Sequence, residues 1–277
     1  MSEIYNFEQY IDLSQTPNTI CDPIRVPIGV NSTGSLEFVD LGDDYRHNIL
    51  VSGRCGSGRS MYLHTLINSV MLSYSTDCLN IWLYDAKMCE YRRYSTESHP
   101  HIKHTYGGDE CEALLTALEE ELKRRERVYI NAQSQSYSHY IKGHKCVPFP
   151  RLLVVMDDFD YFLMKLFDQN YQNHYRICNL LRMASTFGIT FAVTVQSPER
   201  LPALLFSMFE IRMALPHYPD AVKALFDKQD VSAAYQDLRR GEALVNTLVY
   251  TSNIHKVKLL YLSSDALNMI ASVIANQ

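Results

Sequence analysis

Residues 47–52, HNILVS, read as a buried strand that runs straight into Gly53-Arg54-Cys55-Gly56-Ser57-Gly58-Arg59-Ser60 and then into helix-like sequence. Nothing else in the chain narrows its possible folds as much. The spacing is glycine, four residues, glycine, a cation and a hydroxyl, and strand–loop–helix is the context this motif demands. Glycines there let backbone N–H groups converge on phosphate oxygens with no Cβ in the way, and the helix start adds partial positive charge. Gly53 to Ser60, with Met61 at the first turn, are the candidate phosphate-binding residues, and Ser60 is placed to offer its hydroxyl to Mg2+. One position departs from the pattern. Arg59 stands where a lysine is usual, and its guanidinium is longer, planar and bidentate, so charge is kept but moved. The expectation is modest loss in binding and a larger loss in positioning a transferring phosphoryl group.

The rest of the chain alternates short β-rich apolar runs with amphipathic segments, the pattern of a mostly parallel sheet flanked by helices. A helix is predicted over 59–74, a buried strand over LNIWLYD (79–85), and a helix over 109–130 with Leu114, Leu118 and Leu122 on one face. On its polar side Glu119–Lys123, Glu120–Arg124 and Glu121–Arg125 are spaced as i,i+4 pairs. NAQSQSYSHYIKGHK (131–145) breaks periodicity and reads as an exposed excursion. RLLVVMDDFD (151–160) is a strand ending in acid. A helix over 171–187 leads through Gly188 into ITFAVTV, 189–195. EIRMAL, a segment over 219–227, EALVN, KVKLLYLS and a closing helix over 264–275 complete the order. The expected organisation is one domain over 1–277: an N-terminal arm with an edge β element over 1–42, and the α/β core over 43–277.

LLVVMDD delivers Asp157 and Asp158 to the carboxyl edge of the sheet, where open α/β folds bind ligands. Asp157 fits a carboxylate that holds Mg2+ through water. Asp158 stands where many phosphate-hydrolysing motors carry a glutamate that orients or deprotonates water, but it is one methylene shorter. Gln196, closing the run ITFAVTV, would approach the terminal phosphate from a neighbouring strand tip. Asp158 and Gln196 are thus the candidate catalytic residues, Ser60 and Asp157 the candidate Mg2+ ligands, and ATP with Mg2+ the expected cofactors.

Composition excludes several alternatives. A net charge of −5 provides no global attraction for nucleic acid. The seven cysteines include no CxxC pair, the ten histidines show no HxxxH or HExxH spacing on a plausible helix, and no Ser/His/Asp constellation stands out. The start MSEIYNFEQYIDLSQ lacks a basic head and apolar stretch, and no apolar run approaches the roughly 18 residues of a membrane span. A cytoplasmic protein is expected, as it stands or as the cytosolic module of something anchored.

Taken in order, these motifs resemble the FtsK/SpoIIIE family of RecA-like motor ATPases. VPIGVNSTGSLEFVDLGDDYRHNILVSGRCGSGRS is similar to the strands that lead into that family's loop. YDAKMCEYRRY, through Asp85, Lys87, Met88, Glu90 and Tyr94, resembles D-P-K-M-x-E-L-x-x-Y, and GITFAVTVQSP resembles G-I-H-L-x-L-A-T-Q-R-P. The resemblance implies a RecA-like P-loop NTPase fold, ATP as ligand and assembly with neighbouring ATPase domains, as a homo-oligomer or hexameric ring. Departures cluster where hydrolysis happens: Arg59 for lysine, Asp158 for glutamate, and Ser197 and Ser185 where the family carries arginines. Such losses imply weak or absent turnover, and the pattern resembles the degenerate ATPase modules of EssC/EccC type VII secretion proteins. A secreted protein substrate is then expected before DNA, with any membrane contact made through an attached region. The alternatives are an active DNA translocase, with Lys123, Arg124, Arg125 and Arg127 or Arg92 and Arg93 facing a channel, and a nucleotide-free substrate-binding or regulatory module using segments such as QSYSHYIKG. The expected chain also lacks the winged-helix module of DNA-pumping relatives.

Overall fold

The computed structural model describes residues 5–42, 48–94, 97–144, 149–226, 231, 235, 238–248 and 253–275. His47, Lys145 and Asp227, at the ends of three predicted segments, lie outside them. In chain order the elements are β1 (Tyr5–Asn6), β2 (Ile24–Val30), β3 (Leu36–Leu41), β4 (Ile49–Ser52), α1 (Arg59–Ser73), β5 (Leu79–Asp85) and β6 (Ile102–Gly107). Then come α2 (Cys111–Asn131), α3 (Tyr137–Gly143), β7 (Arg151–Asp157), α4 (Phe159–Gln169), α5 (Asn173–Ala184) and β8 (Ile189–Val195). The last are α6 (Ala203–Phe206), β9 (Ile211–Ala214), α7 (Pro219–Leu225), β10 (Glu242–Asn246), β11 (Ile254–Lys258), β12 (Leu260–Tyr261) and α8 (Ser264–Ala275).

Among the described residues ten strands form one sheet in the order β3-β2-β11-β10-β9-β4-β8-β7-β5-β6. The six from β9 to β6 are parallel, and the four on the other side are antiparallel. The RecA-like α/β architecture expected from the sequence is therefore present. Parallel strands are covered on both faces, which is why β7 and β8 are buried at every residue and carry no polar alternation. Their side chains still divide between two cores. Ile49, Val51, Leu153 and Val155 face a layer containing α1 and α8, whereas Leu50, Leu152, Val154 and Met156 face α2, α4 and α5. β3 and β2 form one edge of this sheet, β2 pairing with β11.

The structure corrects three readings. Residues 131–144 are not an unanchored excursion: most of them are exposed or half-buried, but α3 buries Tyr137 and Tyr140 against Tyr129, Phe149 and Phe187. The tyrosines carry enough apolar ring area to form a small satellite core, and polar neighbours hid that pattern. Of the three i,i+4 pairs, Glu121–Arg125 forms at 2.7 Å. Glu119 instead crosses to Arg176 on α5 at 2.7 Å, and Arg124 turns back to Glu121 at 2.6 Å. Finally, the acidic run does not extend the strand to residue 160, because Asp157 ends β7 and α4 begins at Phe159.

Candidate functional site

The parallel half of the sheet sets the site. β8 lies between β4 and β7, so the loop after β4, the polar end of β8 and the acids of β7 meet at one carboxyl edge. The loop itself is braced from below. Gly53 N–H donates to the Val195 carbonyl (3.3 Å), Arg54 N–H to the Pro216 carbonyl (3.2 Å) and Ser57 N–H to the Arg54 carbonyl (3.1 Å). A Cβ on Gly53 would collide with Ser57 Oγ, and Gly58 (φ 108°) caps α1 in a left-handed conformation, so both glycines are required by shape. Among the described residues no acceptor takes the N–H groups of Cys55, Gly56, Gly58, Arg59 or Ser60. Arg54, Cys55 and Gly56 are exposed, Ser57 and Arg59 buried, and Met61 half-buried. An exposed turn with free amides at the start of a helix fits a phosphate group.

Ser60 and Asp157 are brought together: Ser60 Oγ donates to the Asp157 carboxylate at 3.1 Å. Thr194 Oγ1, from β8, donates to the other oxygen at 2.5 Å. Asp157 is almost fully buried, and burial, with Asp158 alongside, pushes its carboxyl above the usual range despite the Thr194 bond and the Arg59 charge. A carboxylate at a strand end with a serine hydroxyl at contact distance is a set of oxygens that fits Mg2+; Ser60 and Asp157 would hold it.

Asp158 is committed differently. It adopts φ 55°, ψ 57°, a left-handed conformation that aspartate tolerates better than most residues, and its N–H donates to Thr194 Oγ1 at 2.9 Å. One carboxylate oxygen meets Arg59 Nη2 at 2.7 Å and the other meets Lys87 Nζ at 2.7 Å. Both side chains of the Arg59–Asp158 pair are about one-tenth exposed, 9% and 11%. Arg59 therefore folds onto the acid of the neighbouring strand end, while its Nη1 is buried with no partner among the described residues. Neither Asp158 oxygen is left free to orient water.

Gln196 is exposed at the tip of β8, and its backbone is held on both sides. Its N–H and that of Ser197 each donate to Asp160 Oδ2 at 3.0 Å. Its carbonyl accepts from His217 Nε2 at 2.7 Å, with Tyr218 N–H donating to Nδ1, an arrangement that calls for the neutral ring. Burial agrees, lowering the His217 pKa. Lys87, Asp158, Asp160, Gln196, Ser197 and Arg200 share a cavity of about 630 Å³ with apolar residues that include Tyr161, Met164 and Phe167.

Thr194, Asp160, His217 and Lys87 carried no role in the sequence reading. Asp160 was visible as the third acid of DDFD and Lys87 in YDAK, but the distances between separate strand ends give them partners. Asp85 is a further case: buried at the end of β5, it accepts from the N–H groups of Lys87, Glu90 and Tyr91. The predicted channel cations divide. Arg125 is buried and bonded to the carbonyls of Phe187 and Pro150, whereas Lys123, Arg124, Arg127, Arg92 and Arg93 are exposed.

Solved structures share this arrangement of elements. The cytoplasmic domain of the Thermomonospora curvata type VII secretion ATPase EccC superposes with a TM-score of 0.84 at 18% identity, covering 100% of this chain and 35% of that one. The pCW3 conjugation coupling protein TcpA, solved in monomer form with ATPγS, gives 0.72 at 17% identity, with 99% and 74% covered. In sequence, the DNA translocase FtsK of Lactiplantibacillus plantarum is 23% identical over 269 residues, 92% of this chain but 32% of that protein. The chain thus spans about a third of that relative. The FtsK/SpoIIIE family model matches residues 15–216, a stretch that holds the loop, both acids of β7 and the β8 tip. With 202 of its 277 residues inside that match, the chain belongs to the FtsK/SpoIIIE family.

Proposed function

We propose that this motor-type domain binds ATP with Mg2+ at the Gly53–Ser60 loop, hydrolyses it weakly or not at all, and serves a type VII-like protein-secretion ATPase. The observation that carries this reading is the buried Arg59–Asp158 pair with Lys87 on its second oxygen. Free loop amides favour phosphate binding, while the acid that would activate water is held by Arg59 in a pair about one-tenth exposed, with Lys87 on its other oxygen in the nucleotide-free chain. Ser60 and Asp157 would hold Mg2+, which supplies charge neutralisation of the phosphates when bound. Gln196 would stand beside the terminal phosphate as a polar contact, its backbone set by Asp160 and His217. Ser197 and Ser185 place no arginine where relatives have one, so transition-state charge would need to come from elsewhere.

Titration calorimetry with MgATP and a phosphate-release assay test this directly. Binding is expected, with turnover near or below about 10⁻³ s⁻¹, the range of P-loop hydrolases without a supplied arginine. Fast hydrolysis that Asp158→Asn abolishes would refute weak turnover. Thiol alkylation offers a second measurement. Cys55 lies exposed in the loop, and the other exposed thiol among the described residues is Cys89. MgATP is expected to slow labelling of Cys55 more than that of Cys89; equal rates with and without nucleotide would count against the loop as the binding site.

The likeness to EccC supports a protein substrate, neighbouring ATPase domains as partners, and a cytoplasmic location attached to a membrane-bound assembly. Among the described residues no helix is long and apolar enough to cross a membrane. The DNA-translocase alternative is favoured by the FtsK relatives and by exposed Arg92, Arg93, Lys123 and Arg127. It requires DNA binding that weakens steeply with salt and DNA-stimulated hydrolysis.

A further inference from the structure

Arg59 and Lys87 hold the two oxygens of one carboxylate, but they are not equivalent. The Arg59 side chain is 9% exposed, and withdrawing it would strand a buried aspartate beside Asp157. The Lys87 side chain is 61% exposed, and an ion pair that open to water is held weakly. Resting on the nucleotide-binding reading above, we propose that Lys87 is the cation that meets the terminal phosphate of a bound nucleoside triphosphate, in place of the loop residue Arg59.

Three features of the turn after β5 support the assignment. Its backbone is fixed: Asp85, 2% exposed, accepts from Lys87 N–H at 3.1 Å through one oxygen, and from Glu90 and Tyr91 N–H at 2.7 and 3.0 Å through the other. Its height is right, since Asp85 is the register partner of Asp157 across β5 and β7, so Lys87 departs from the level of the metal-binding acid. Its ammonium reaches the cavity that Asp158 and Gln196 also line. A lysine offers a compact charge with three rotatable donors on a flexible stem, so it can exchange Asp158 for a phosphate oxygen with no movement of the backbone. Arg59, by contrast, is fixed as the positioning partner of Asp158, and only its Nη1 remains for a phosphate closer to the loop. The consequence is selectivity: Lys87 would distinguish triphosphate from diphosphate, a distinction the loop amides alone do not make.

The test compares dissociation constants for ATPγS and ADP, both with Mg2+, on the unaltered chain and on Lys87→Met and Lys87→Arg. Lys87→Met is expected to weaken ATPγS at least about tenfold, the scale of one charge-assisted contact, while ADP changes by less than about twofold. Lys87→Arg, which keeps the charge, is expected to recover part of the preference. Because the side chain is exposed and Asp158 keeps Arg59, the unfolding temperature of both variants should fall by no more than about 2 °C. Equal losses for the two nucleotides, or no loss for either, would overturn the assignment while leaving nucleotide binding intact. If the unaltered chain binds neither nucleotide, the binding reading itself falls, and the role of Lys87 with it.

Discussion

Arg59→Met is expected to cost about 3 kcal/mol of unfolding free energy, and the double variant Arg59→Met/Asp158→Asn to recover all but about 1 kcal/mol of it. The size follows from removing one partner of a buried ion pair, taken at the low end of the range because Lys87 still holds the second oxygen. Removing the arginine leaves a carboxylate out of water next to Asp157, a like charge. Removing both charges leaves methionine, of similar bulk, beside a neutral amide that keeps its backbone bond to Thr194. Urea denaturation of the two single variants and the double variant forms a thermodynamic cycle. Coupling of 2 kcal/mol or more is the expected result. Additive effects would mean that the pair is an incidental contact and that Asp158 remains free for hydrolytic chemistry.

Asp157→Asn should stabilise the nucleotide-free protein and disable it. The folded-state pKa of Asp157 is raised, chiefly by burial. Its contribution to stability is therefore fully present below the unfolded-state pKa and is lost as pH rises through the folded-state value. Burial penalises the ionised carboxylate in the folded chain, and asparagine removes that cost while still accepting from Thr194 Oγ1. A gain of about 1 kcal/mol, or roughly 2–4 °C in Tm, is expected at pH 7.5, shrinking as the pH falls toward 4. In the same protein Mg2+-dependent ATP binding should fall roughly 50- to 100-fold, because a neutral amide replaces the anionic contact to the metal. Differential scanning fluorimetry across pH and calorimetry with and without Mg2+ read both effects. A variant less stable than its parent at pH 7.5, with Mg2+ dependence intact, would show that Asp157 is a structural acid and no metal ligand.

These two acids illustrate how much of the site was legible beforehand. VVMDD announces a strand that ends in carboxylates, because five apolar residues in a row need burial on both faces and the first charge must lie at the edge. The loop was legible for a similar reason, since glycines at that spacing serve no ordinary helix or strand. What the residues themselves did not disclose was that adjacent aspartates face different partners. Asp157 continues the strand and points to Ser60, while Asp158 turns left-handed and points to Arg59 and Lys87. Nor did periodicity reveal α4, which begins directly after the acids, or the tyrosine core under α3, where serines and histidines between the rings masked burial.

The sequence by itself determined the class of fold, the position of the glycine loop between β4 and α1 and the edge of the sheet at which the acids gather, because these depend on local backbone demands and on runs of apolar residues. Only the tertiary structure decided what each charge does. Lys87, Arg59, Asp158 and Thr194 are scattered over more than one hundred positions, and the pairing of parallel strands brings them within hydrogen-bond reach. Coulomb energy depends on separation and burial, and neither quantity is written in the order of residues along a chain.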